Sequence, residues 1–100
     1  MKYYHAAPPK TMNKILEDGM IKASWDGGVY LCKKPEEAVR FVAIRGYKKI
    51  AVIEVELDED EVMESYDHDP EFFGCKAYIY QYHIKIPENA RIKMYEYRAR

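Results

Sequence analysis

Cysteine is scarce in this chain: Cys32 and Cys75 stand apart, with no C-x2-C pair. That spacing supports neither a disulfide framework nor a paired-thiolate zinc site, and it fits a reducing, cytoplasmic setting in which both are small core residues. Long hydrophobic runs are missing as well. Apolar stretches extend only a few residues against the ~20 needed to span a bilayer, and Met1-Lys2-Tyr3 is not followed by an apolar leader, so neither a membrane span nor a secretion signal is expected. Glycine and proline number five each and form no linker or low-complexity tract, which leaves one globular domain over residues 1–100.

Several chemistries are excluded by absent motifs. Gly27-Gly28 is not followed by the Gly-Lys-Ser/Thr that would cradle phosphates, and neither Ser24 nor Ser65 sits in a nucleophile elbow. His5, His68, Cys75 and His83 are possible metal ligands, but no pair has the spacing that brings two to one ion, and no metal is expected.

What is present is uneven charge and abundant tyrosine. The net charge of −1 conceals ten acids and no Lys or Arg between Glu54 and Glu71. The remainder holds sixteen Lys and Arg against seven acids, a balance of +9 that favours an anionic ligand away from the acidic stretch. Ten tyrosines suit strands and flat-ligand pockets equally.

Hydrophobic periodicity predicts the order β-α-β-β-α-β-loop-β-β. Strands are expected at Lys2–His5, Met20–Ser24, Val29–Cys32, Lys49–Leu57, Ala77–Ile86 and Ala90–Tyr97. Helices are expected at Pro9–Asp18, with Thr11 as a possible cap and Gly19 as its stop, and at Pro35–Arg45. The acidic connection from Asp58 to Glu71 allows a helical turn, and Trp25-Asp26-Gly27-Gly28 reads as a turn. This is an α+β class: two short helices on a twisted or split, antiparallel-rich sheet of five to six strands. Alternating basic and aromatic residues from Arg91 to Arg100 describe a strand able to track nucleic acid, or an edge protected by charge.

Polar and aromatic residues recur at strand positions. His5 is expected to end the first strand, Tyr30 lies in the third, and Gln81 and His83 are two apart on the penultimate one, hence on one face. With the intervening sequence they resemble the ADP-ribosyltransferase-like fold, which includes poly- and mono-ADP-ribosyltransferases, DNA-modifying toxins and RNA 2′-phosphotransferases. The resemblance runs from about Tyr3 to Ile92. It rests on Tyr3-Tyr4-His5-Ala6-Ala7-Pro8, Ile15-Leu16-Glu17-Asp18-Gly19-Met20, Gly28-Val29-Tyr30-Leu31-Cys32, the helix Pro35 to Phe41, and Tyr80-Gln81-Tyr82-His83-Ile84-Lys85-Ile86-Pro87.

The resemblance implies NAD as substrate. His5 would hydrogen-bond a ribose hydroxyl, Ala6 would offer its backbone to the carboxamide, and Tyr30 and Phe41 would enclose the nicotinamide ring. The family's glutamate falls at Gln81 or His83, neither a carboxylate. Gln81 supplies no charge, and a protonated His83 would oppose a cationic ribose, so polymer synthesis is not expected. The implied function is a small mono-ADP-ribosyltransferase-like protein of toxin, phage-effector or nucleic-acid-modifying kind, acting on a protein or nucleic-acid target. The alternatives are a non-catalytic module that binds a nucleotide, or a basic protein through the acidic loop, and an RNA 2′-phosphotransferase.

Overall fold

The computed structural model describes residues 1–24, 28–65, 71 and 74–96. The α+β class and the two helices stand as expected, with every strand pairing antiparallel. β1 (Lys2–Ala7) runs two residues beyond the expected end, so His5 lies inside it. Pro8 and Pro9 then end the strand and start α1 (Pro9–Asp18), because proline lacks the N–H a ladder requires and a first helical turn does not. Pro8 itself takes the cap position with no side-chain cap bond, and Thr11 lies within the helix. Gly19 ends α1 in a left-handed conformation (φ 68°), its N–H bonded to the Ile15 carbonyl.

β2 (Met20–Ile21) and β3 (Val29–Leu31) follow. α2 (Pro35–Ala43) carries Glu36 and Glu37 in its first turn, where the helix dipole favours them, and buries Ala38, Val39 and Val42. It ends two residues short of Arg45. β4 (Lys49–Glu56) is the centre of the molecule, paired with β1 on one side and β8 (Ile92–Glu96) on the other. Its two faces serve different clusters. Ile50 and Val52 lie under Val39 and Val42 of α2, while Ala51, Ile53 and Val55 join Tyr3, Ala7, Met12, Ile15, Leu31 and Ile84. Burial on both sides explains why this stretch is continuously apolar.

Two expectations are corrected. The acidic connection holds the helical turn allowed for it, a 3-10 turn (Glu59–Glu61), but also a strand that was not expected, β5 (Met63–Ser65). The long strand expected over Ala77–Ile86 is broken into β6 (Ala77–Tyr80) and β7 (Ile84–Lys85). β6 lies between β3 and β5, whereas β7 pairs with β2, and the chain must bend at 81–83 to change partners. With these divisions the described residues form eight strand segments in three sheets. His68 and most of the turn at Trp25-Asp26-Gly27 lie outside the described residues, as do Phe72, Phe73 and Tyr97 to Arg100. No helix among the described residues is long and apolar enough to cross a membrane.

Candidate functional site

Of the expected site residues, His5, Ala6 and Tyr30 come together at the seam between β1 and β3. The two strands are joined by one bridge, Tyr4 with Cys32, whose backbone groups exchange bonds of 2.8 and 2.9 Å. Among the described residues no ladder between them continues beyond that bridge. Backbone groups two residues apart on a strand point the same way, so the N–H and C=O of Ala6, like those of Tyr4, are directed toward β3 and away from β4.

His5 turns its side chain to the face shared by Tyr3 and Ala7 and stands beside the same seam. Its Nδ1 is 2.8 Å from the Tyr30 carbonyl oxygen. A carbonyl only accepts, so Nδ1 carries the proton and Nε2 of the neutral ring is an acceptor. Burial pushes the His5 pKa below its ordinary value; the Tyr30 carbonyl opposes that shift and the Arg45 charge adds to it. The bond fixes the orientation of the ring, and burial favours its neutral form.

Tyr30 shares a strand face with Cys32, because Val29 and Leu31 are committed to the core. Pairing with Tyr4 places that face on the α2 side, where Ala6 also packs. Phe41 sits on α2, which packs across β1. Both Tyr30 and Phe41 are half-buried. Ala6, Tyr30 and Phe41 therefore share the α2 side of the sheet, with His5 reaching the seam from the other side.

Gln81 and His83 are not brought into this group as a strand face. Both are exposed and lie in the break between β6 and β7. His83 has a local role: its Nδ1 accepts the Ala23 N–H at 2.7 Å, tying the bend to the segment after β2. The sequence pattern could not reveal this, since alternation through Tyr80 to Ile84 reads as one strand.

A cavity of about 200 Å³ opens beside His5, between α1 and β2, lined by Thr11, Lys14, Ile15, Asp18 and Lys22 among others. Sequence reasoning did not single out Lys14, Asp18 or Lys22. Their signal was helical spacing: Thr11, Lys14, Ile15 and Asp18 fall at i, i+3, i+4 and i+7, one face of α1. Asp18 is the one carboxylate lining this cavity among the described residues, and Lys22 lies 3.5 Å from it.

Cys32 and Cys75 are buried as expected of core residues, and both are free thiols. Burial raises the Cys32 pKa to about 12, with Cys75 and Glu37 adding to it and Arg40 opposing. Comparison with protein-family models, with curated proteins and with solved structures finds no match to this chain.

Proposed function

We propose that this chain is a nucleotide-binding protein of ADP-ribosyltransferase-like kind, with NAD or a close relative held where β1 parts from β3. The observation that carries the reading is the meeting at one seam of an oriented, neutral His5 and an Ala6 backbone to which no ladder with β3 extends. Nε2 of His5 accepts from a ribose hydroxyl. The Ala6 N–H and C=O match a carboxamide, which presents one acceptor and one donor. Lys14 and Lys22 supply positive charge beside His5 for a pyrophosphate. Tyr30 and Phe41, which the resemblance assigns to the nicotinamide ring, lie across the sheet on the α2 side, so a ligand that uses both groups passes through the gap where β1 parts from β3.

Binding is favoured over turnover by the positions of Gln81 and His83. Cleaving the nicotinamide–ribose bond develops an oxocarbenium ion, which needs a negative group aimed at it. Neither residue supplies one, and the His83 Nδ1 is committed to Ala23. Asp18 favours the second reading, transfer of a single ADP-ribose to a protein or nucleic-acid acceptor, because it places a carboxylate in the cavity beside His5.

The test is a thermal melt with NAD, ADP-ribose and nicotinamide, together with measurement of nicotinamide release. A ligand at about 100 times its Kd adds ~2.7 kcal/mol, on the order of 10 °C for a domain of this size. NAD should raise the melting temperature, and the Lys14→Gln, Lys22→Gln double variant should lose most of the shift while melting close to wild type without ligand, since an exposed ion pair contributes little. No shift with NAD or ADP-ribose defeats the reading. Steady nicotinamide release that Asp18→Asn abolishes replaces binding with transfer.

A further inference from the structure

The β1-β4-β8 sheet has an open edge. β8 is hydrogen-bonded to β4 from Ile92 opposite Ile53 to Glu96 opposite Lys49, and its other side pairs with nothing among the described residues. Ile92 and Met94 lie on the face of Ala51 and Ile53, and they are 37% and 53% exposed. Lys93 and Tyr95 lie on the opposite face, with the Lys93 ammonium 5.3 Å from the Tyr95 ring centroid. Beside them, between β8 and the first turn of α2, a cavity of about 300 Å³ is lined by Glu36, Glu54, Arg91 and Lys93 and by the Tyr4 and Tyr95 rings.

That lining carries two charges of each sign. A ligand of either sign would be attracted by two groups and repelled by two. A surface bearing both signs and exposed apolar side chains is instead complementary to itself, as a two-fold interface between identical chains requires. Charged side chains, lysine above all, guard an edge against pairing, but this strand sets two exposed large aliphatic residues, Ile92 and Met94, beside its one lysine and one glutamate.

The strand's own residues select the register. A two-fold axis perpendicular to the sheet preserves faces, so only residues of equal parity can stand opposite each other. Centred on Met94, the axis sets Met94 against Met94 of the second copy, Lys93 against Tyr95, and Ile92 against Glu96. The Lys93–Tyr95 contact seen within the strand is then repeated twice across the interface, and no like charges are opposed. Centring on Lys93 would oppose two lysines. We propose that β8 pairs with β8 of a second copy of this chain, antiparallel and centred on Met94, to give a continuous six-stranded sheet in the order β1-β4-β8-β8-β4-β1. This interface stands independently of the nucleotide reading, since the seam lies on the opposite edge of β1 from β4.

Sedimentation over a concentration series tests it, with two variants. Wild type should approach twice the 11.8 kDa chain mass, and Met94→Lys, which opposes two charges at the axis, should remain at 11.8 kDa. Because Met94 is exposed in the single chain, that variant should still fold, with a melting temperature that does not change with protein concentration, whereas that of wild type should rise with it. Cross-linking keeps the test independent of it. Under mild copper-catalysed air oxidation, Met94→Cys should form a disulfide-linked dimer, because directly opposed residues lie within disulfide reach. Ile92→Cys should not, its equivalent being four residues away across the strand pair. Wild type that stays at 11.8 kDa throughout, Met94→Lys that still dimerises, or linkage at Ile92→Cys without linkage at Met94→Cys overturns the proposal.

Discussion

Burial holds the His5 pKa below its ordinary 6.5, so between those two values the unfolded chain binds a proton that the folded chain refuses. Stability then rises with pH through this window and is lost as pH falls below 6.5 toward the lowered value. Urea unfolding at pH 7.0 and 5.5 should show wild type weakened at the lower pH, and His5→Gln should show a smaller difference. The same variant should cost about 1 kcal/mol at pH 7.0 through the lost bond to Tyr30. Cys32 has the opposite sign. Its pKa rises from 9.0 to about 12, so the stability it contributes is complete below 9 and declines as pH rises toward 12. In the native protein at pH 8, Cys32 should not react with an aromatic disulfide reagent, and it should become reactive when urea unfolds the chain. Fast labelling of Cys32 in the folded protein would contradict its burial.

At the scale of elements, the helices were legible because their stops are local. Pro8-Pro9, Gly19 and Pro35-Glu36-Glu37 act through the backbone or the dipole within one turn. β4 was legible from its β-branched composition. The division of Ala77–Ile86 was not, since Tyr80-Gln81-Tyr82-His83-Ile84 alternates like one strand, and only the exchange of partner from β3 to β2 breaks it. β5 was hidden because Met63-Glu64-Ser65 offers no apolar face in an acidic stretch. The candidate site was legible in part: His5 and Tyr30 sit on short strands with clear signals, whereas Ala6 was expected beyond the end of its strand and the relation of Lys14 and Asp18 to His5 depends on how α1 docks. Gly28 marks the bend most sharply. It adopts φ 106°, and a Cβ there would collide with the Tyr80 carbonyl oxygen and stand 3.0 Å from the Gln81 Cα. Gly28→Ala should cost at least about 2 kcal/mol from the strained backbone and the clash together. A denaturant midpoint equal to wild type would show that β6 does not approach so closely.

Across the whole molecule, both core clusters depend on β4, and β4 takes its partners from the two ends of the sequence. The paired residues of β1 with β4, β4 with β8, β3 with β6 and β2 with β7 are roughly 40 to 65 positions apart; only β5 and β6 lie close along the chain. Assembly from successive hairpins is therefore closed to this topology. Loop-closure entropy must be overcome before nearly any ladder bond can form, and stopped-flow refolding should fall in the millisecond-to-second range, with microsecond relaxation excluded. On a ribosome, β1, β2 and β3 would emerge long before their partners, their apolar side chains uncovered and their edges unpaired. The order of synthesis makes the early half of this chain a waiting period, in which a chaperone or a rapid collapse around α1 and α2 has the most to protect.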